Sequence, residues 1–460
     1  MIGLIYNIEA LTIDEIVRAT GGTLIRGELS DVVKGISIDS RTLESDTLFI
    51  PIKGENFDGH TFIKNACKTS AGYLTEYDDE YDGGFCIKVD STKKALLDLA
   101  SYYRDRFDVK VVGVTGSVGK TTTKEFIYSV LSKHGETLKT EGNFNNEIGL
   151  PLTLFGLKPS HRLAVIEMGM SGFGEIERLS KCAKPDIAVI TNIGTSHIEY
   201  LGSQEGILKA KLEILKGLKT GGKLIVNGDD EYLSGEDVLY DRITVGINDT
   251  GNEILAQDIV TDDDGVSFKV DGEQYHINIL GIHNVYNALV SIATGRCIGI
   301  STDAIKRGLD SYRSDGIRQN ILKLEKCTII NDCYNASPQS VCASLDVLKC
   351  ISKDNRKIAV LGDMKELGER SAKYHFDVGA YASQKKAADV LLLIGEHSQH
   401  IADGALAYGL NSKNIHIFET NEEIIEFLKG FLNKSDNLLV KGSRAMKLEV
   451  IAEELKALGI

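Results

Sequence analysis

The chain reads as an α/β protein of three domains. These are a small mixed α/β domain over residues 1–105, a central P-loop domain on a parallel sheet over 106–314, and a Rossmann-like domain over 315–460. Three observations lead there. At 460 residues the chain exceeds what one hydrophobic core organises. Between residues 109 and 312, short apolar runs alternate with stretches of helical spacing, the pattern of a largely parallel sheet covered on both faces. From Asp315 onward, four short apolar runs end in polar turns at Asp332, Gly362-Asp363, Gly395-Glu396 and Lys441-Gly442-Ser443-Arg444. No GxGxxG follows the first of these, which argues against a dinucleotide there.

Composition narrows the classes. A net charge of −14 excludes a protein built around nucleic acid, which needs a basic face. The 8 cysteines are scattered without a CxxC pair, which predicts free thiols in a reducing compartment. The first residues lack a basic region and a small-residue cleavage site, and no apolar run approaches membrane-spanning length. The expectation is a cytoplasmic protein, not membrane-inserted.

The first domain carries one unusual stretch, residues 38–62. A strand ending in Asp39-Ser40-Arg41 precedes an apolar strand over 47–52, then the polar loop Lys53-Gly54-Glu55-Asn56-Phe57-Asp58-Gly59-His60. The loop reads either as a plain surface turn or as a polar pocket for a sugar-nucleotide head group. A helix over 92–106, with Leu96, Leu97, Ala100 and Tyr103 at helical spacing, links it to the next domain.

The central domain opens with Val109, Val111, Val112 and Val114, a buried strand, followed by Thr115-Gly116-Ser117-Val118-Gly119-Lys120-Thr121-Thr122. Glycines free the backbone to turn, N–H groups at a helix start cradle phosphates, Lys120 neutralises them and Thr121 reaches Mg²⁺. The strict GxxxxGK[ST] pattern fails at Val114, and a glycine-rich turn without ligand is the plain alternative. Glu167 and His197 follow the next two apolar runs, at strand ends where such sheets bind ligands, and suit divalent metal. In a helix over 205–217, Lys211 sits among Ile207, Leu208, Ile214 and Leu215. A lysine centred on a buried face must lose its charge, pair it, react, or snorkel outward along its stem. Asn284 and Asn287, one turn apart at the start of a later helix, can face one ligand, or Asn284 can cap that helix. His397 and His400 read as surface residues. The Lys441-Gly442-Ser443-Arg444 turn suits a carboxylate.

Together these landmarks resemble the Mur ligase family, ATP-dependent amide-forming enzymes of peptidoglycan synthesis. The resemblance is carried by residues 115–122, Glu167-Met168-Gly169, Thr191-Asn192-Ile193-Gly194 with His197, Lys209-Ala210-Lys211, and Gly281-x-His283-Asn284-x-x-Asn287. Asp39-Ser40-Arg41, Gly59-His60, residues 142–149, Asp332-x-Tyr334-Asn335-Ala336-Ser337-Pro338, Leu361-Gly362-Asp363-Met364-x-Glu366-Leu367-Gly368 and residues 441–444 point to the branch that joins D-alanyl-D-alanine to a UDP-N-acetylmuramoyl-tripeptide. Two departures stand out: Val118 where the family usually has Asn, and Ser196 where it usually has Ala.

The resemblance implies an acyl phosphate made from the peptide's terminal carboxylate and ATP, then attacked by the incoming amine. It implies ATP held by residues 115–122, Asn284, Asn287, Arg318 and Asp332, and two Mg²⁺, one on Thr121 and Glu167, the other on His197 and a carbamylated Lys211. It implies the UDP end on Ser40, Arg41, Asn56, Asp58 and His60, the sugar phosphates by Asn145 and Asn146, and the acceptor by Tyr334, Asn335, Ser337, Lys441, Ser443 and Arg444. The protein would act as a monomer in cell-wall synthesis, and hence in cell shape and division. Competing expectations are a sister ligase adding the third residue, folylpolyglutamate synthase, and, in another class, a P-loop regulatory NTPase. The last is disfavoured by the absence of NKxD, and the second by the first domain.

Overall fold

A computed structural model describes residues 5–54, 56–78, 81–235, 240–262, 264–314 and 318–460. Glu55 and the expected start of the last domain at Asp315 lie outside the described residues.

The middle of the chain forms a 7-stranded sheet, all parallel. From edge to edge it runs Ile254–Leu255, Asp241–Gly246, Lys223–Asn227, Ile187–Ile190, Lys110–Thr115, Leu163–Glu167 and Thr137–Lys139. Strand side chains alternate between faces, and here both faces are apolar. Val112, Val114, Val165 and Val189 pack with Phe126, Ile127, Val285 and Leu289 from the helices Lys120–Leu131 and His283–Ile298. Val111, Ala164, Ile166, Ala188 and Ile190 belong to a second apolar cluster with Leu96, Ala100 and Leu179 from the helices Thr92–Arg104 and Glu175–Ala183. Residues 257–277 add a 3-stranded antiparallel sheet that the strand-turn-helix reading did not anticipate. Its signal was present: Asp271-Gly272 between two alternating runs is a hairpin turn.

The first domain is a 6-stranded mixed sheet. Its strand Val32–Ser37 stops before Asp39, and the neighbouring strand pairs only over Thr47–Phe49. The expected strands are thus cut short at the polar loop. The linking helix ends at Arg104 and is pinned on both sides. Tyr103 accepts the Glu9 N–H (2.9 Å) and donates to Leu157 O, while Arg104 donates to Ala183 O and Val109 O.

The last domain is a 6-stranded sheet ordered Asn320–Lys323, Cys327–Asn331, Asp436–Lys441, Lys357–Gly362, Val390–Ile394, Ile415–Phe418. Only the first pair is antiparallel. Cys67, Cys182, Cys297, Cys327, Cys333 and Cys342 are free thiols. Among the described residues no helix is long and apolar enough to cross a membrane.

Candidate active site

The glycine loop leaves the central strand Lys110–Thr115 and enters the helix Lys120–Leu131. Gly116 (φ 147°) and Gly119 (φ 85°) take backbone conformations closed to other residues. A Cβ at Gly116 would stand 1.9 Å from Thr191 Oγ1. The loop is strapped to the end of the neighbouring strand. Asn192 Oδ1 accepts the Val118 N–H, its Nδ2 donates to Val118 O, and the Thr191 hydroxyl donates to the same carbonyl. Because main-chain atoms of Val118 make these bonds, the loop keeps its form whichever side chain stands there. Lys120 Nζ donates to Gly116 O (2.8 Å). Burial lowers its pKa below the usual lysine value, with Glu167 opposing. The hydroxyls of Thr115 and Ser117 are buried without hydrogen-bond partners, and Ser117 lines the cavity described below.

Glu167, 1% exposed, ends the adjacent strand and is held on every side. Thr121 donates to its Oε2 (2.9 Å), Asn145 to its Oε1 (2.8 Å), and its own N–H goes to the Thr140 hydroxyl. Lys124 Nζ lies 4.0 Å from Oε2 and donates to Thr140 O. The sequence reading missed Lys124, though its position one helical turn after Lys120 was a usable signal.

A cavity of about 400 Å³ gathers these groups. Its wall includes the expected Ser117, Val118, Gly119, Lys120, Thr121, Thr122, Asn145, Asn146, Glu167, His197, Asn284, Asn287, Arg318, Asp332, Tyr334, Asn335, Ser337 and Lys441. Thr115, Gly116, Lys211, Ser443, Arg444 and the five residues of the first domain are not on it.

The last domain closes this cavity. Lys441, 2% exposed, sits 2.5 Å from Asp332 Oδ2, which also accepts from Ser344, while Gln319 N–H reaches Oδ1. Burial pushes the Asp332 carboxyl up, but Lys441 outweighs it and holds the pKa low. The Arg318 guanidinium lies 4.1 Å from the Tyr334 ring centroid. Lys441→Ala strands the Asp332 charge and is expected to cost about 3–5 kcal/mol of stability. Thermal unfolding measures this; an unchanged transition would mean that Asp332 regains solvent.

His197 (φ 63°) starts the short helix Ile198–Leu201, and its Nδ1 lies 2.5 Å from Glu366 Oε2 of the last domain. That contact holds the Glu366 carboxyl below the usual carboxylate range. Lys211 is 2% exposed on a helix that ends at Leu212 and tightens into the 3₁₀ turn Glu213–Lys216, earlier than its spacing predicts. Burial, and then repulsion from Lys120, lowers its pKa well below the lysine value. The snorkelling alternative is therefore set aside.

Three groups of these residues have partners within the protein that the sequence did not show. The amides of Asn284 and Asn287 are engaged with the protein. Asn287 donates to Asn284 and accepts from Thr123, while Asn284 donates to Leu280 O and Gln319, so it does not cap the helix. The 441–444 turn already faces internal carboxylates: Lys441 meets Asp332, Arg444 meets Glu449 at 2.7 Å, and the Ser443 hydroxyl takes the Lys365 N–H. His397 and His400 are half-buried, with the His397 ring tilted 31° against the buried His375, centroids 4.5 Å apart.

In the first domain, Arg41 forks onto Asp39 (2.8 and 2.5 Å), Ser40 is half-buried and Asn56 is exposed. The Asp58 carboxyl contacts His60 Nδ1 (2.7 Å) and the Tyr77 hydroxyl (2.7 Å). Burial opposes, but Tyr77 and His60 bring its pKa down to about 2. The stabilisation this gives is present above the usual aspartate range and is lost as pH falls toward 2.

The fold and site define a three-domain P-loop enzyme whose cavity is shared by the middle and last domains. Family models described as "Mur ligase family, catalytic domain", "Mur ligase middle domain" and "Mur ligase, glutamate ligase domain" match residues 32–104, 114–295 and 317–444. The chain belongs to the Mur ligase family. It is 40% identical over 451 residues to the UDP-N-acetylmuramoyl-tripeptide–D-alanyl-D-alanine ligase of Bacillus subtilis (strain 168), covering 96% of this chain and 98% of that one. The protein of the same name from Escherichia coli (strain K12) is 33% identical, covering 95% and 97%. Among solved structures, MurF from Acinetobacter baumannii superposes with a TM-score of 0.89 at 29% identity, over 98% of this chain and 100% of that one. MurF ligase from Thermotoga maritima in complex with ADP gives 0.82 at 29% identity, over 92% and 97%.

Proposed function

We propose that the chain is an ATP-dependent ligase joining D-alanyl-D-alanine to UDP-N-acetylmuramoyl-tripeptide in cytoplasmic peptidoglycan precursor synthesis, acting as a monomer. The observation that carries it is one cavity lined by both the glycine loop and Asp332, Tyr334 and Lys441 of the last domain. Near-full-length similarity to ligases of that name supports the substrates, and the ADP-bound relative supports the nucleotide.

A carboxylate is a poor electrophile, so the chemistry calls for a phosphoryl leaving group on the peptide's terminal carboxyl before an amine attacks. The enzyme's work is to hold anions in line. The loop N–H groups and Lys120 would hold the triphosphate, and the orphaned Ser117 hydroxyl is a ready donor for it. Asn284, Asn287, Arg318 and Asp332 would hold the rest of the nucleotide. Asn145 and Asn146 would meet the sugar phosphates, and Tyr334, Asn335, Ser337 and Lys441 the acceptor. Ser443, which is buried, and Arg444, paired with Glu449 but exposed, would complete the acceptor pocket. Residues 1–105 would bind UDP through Ser40, Arg41, Asn56, Asp58 and His60; residues 106–314 would bind ATP, and residues 315–460 the acceptor.

Mg²⁺ would supply charge neutralisation on the transferring phosphoryl group. Its fit is good at Thr121 and Glu167, hard oxygen donors already 2.9 Å apart. His197 and Lys211, the latter as its carbamate, would serve a second ion.

Phosphate release with ATP, D-alanyl-D-alanine and tripeptides ending in lysine or diaminopimelate tests the proposal. Turnover with a single amino acid in place of the dipeptide would point instead to a sister ligase. Small-angle scattering is expected to show a more compact particle with both substrates bound; identical dimensions would count against closure of the last domain.

A further inference from the structure

His197 and Glu366 are both non-glycine residues in the left-handed region (φ 63° and 64°), and they meet across the boundary between the middle and last domains. The backbones dock there too: the Glu199 N–H reaches Glu366 O (3.4 Å), and Gly368 lies against Glu199. The Glu366 segment is fixed within its own domain. Met364 and Leu367 on either side are buried, the Met364 N–H donates to His375 Nε2, and Asp363 accepts from the Lys365 ammonium. Holding two such residues in a sparsely populated conformation calls for a reason beyond chain direction.

We infer that Glu366 is a positioning residue: its carboxylate lies 2.5 Å from the otherwise unpartnered Nδ1 of His197, and by aligning on Nδ1 it fixes the ring and leaves Nε2 as the lone-pair nitrogen of this cavity-lining side chain when the last domain docks. Ligating histidines characteristically donate their other N–H to a carboxylate, which sets tautomer and ring angle. Here that carboxylate comes from another domain, so docking and assembly of the His197 site are one event. The inference rests on the proposed metal role of His197.

The test is Mn²⁺ affinity in the presence of a non-hydrolysable ATP analogue, measured on the full chain. His197→Ala and Glu366→Gly are each expected to weaken the His197-dependent ion about 10–100-fold. The double variant should be no weaker than His197→Ala alone, whereas a merely structural role gives additive losses. Glu366→Gln, which keeps an acceptor oxygen, should recover part of the affinity. Glycine at φ 64° relieves the backbone, and an undisturbed ion at Thr121 and Glu167 reports an intact fold. If Glu366→Gly does not fold, the loss in Glu366→Gln and its additivity with His197→Ala decide. Wild-type affinity in the Glu366 variants, or additive losses, overturns the inference alone. If His197→Ala itself binds Mn²⁺ like the wild type, the proposed role of His197 falls, and the inference with it.

Discussion

Lys120→Ala is expected to cut phosphate release by at least about 10²–10³-fold while leaving the fold intact. Its ammonium is the cation at the turn of the glycine loop, where it donates to Gly116 O. The loop does not depend on it for shape, because Thr191 and Asn192 hold Val118 from the next strand. A single-turnover assay for phosphate, with circular dichroism on the same sample, checks both halves. Retained turnover would refute the triphosphate reading of the loop, and a lost fold would mean that Lys120 braces Gly116 more than expected.

Lys211 should give the second large effect, with opposite signs on stability and activity. Its pKa is depressed, so between its folded and unfolded values the unfolded chain binds the proton more readily. Stability therefore rises with pH in that window and falls as pH drops through it. Lys211→Met removes the penalty and keeps the apolar volume. Its unfolding temperature at neutral pH is expected to rise, by about 2–4 °C for each kcal/mol recovered. Activity is expected to fall by about 10²–10³-fold. A neutral amine in a buried site can react with CO₂, and the resulting anion would face a cation. Short carboxylic acids added to Lys211→Ala should therefore restore part of the rate. Full activity in either variant removes Lys211 from the mechanism.

Much of the site could be read without coordinates, because it belongs to single elements. A β-branched run, three glycines and Lys-Thr-Thr specify strand, turn and helix within one stretch of chain, and both Glu167 and His197 follow apolar runs that can only be buried strands. The apolar neighbours of Lys211 told of its burial for the same reason: helical spacing fixes which side chains share a face. What the sequence did not show was the polar partners within the protein. Asn284 and Asn287, read as able to face one ligand, also bond to each other, and Asn287 accepts from Thr123, 164 positions away. Arg444 and Lys441 were read as awaiting a carboxylate that Glu449 and Asp332 already supply.

The sequence by itself determined the class of fold, the loop, and which residues stand at the carboxyl rim of the middle sheet, since periodicity and turn chemistry are local and leave few alternatives. Only the tertiary structure decided who faces whom across the domains: Lys441 on Asp332, Glu366 on His197, Lys211 buried yet off the cavity wall. Buried polar groups must find hydrogen-bond partners, and those partners are set by how separate elements dock rather than by any pattern along the chain.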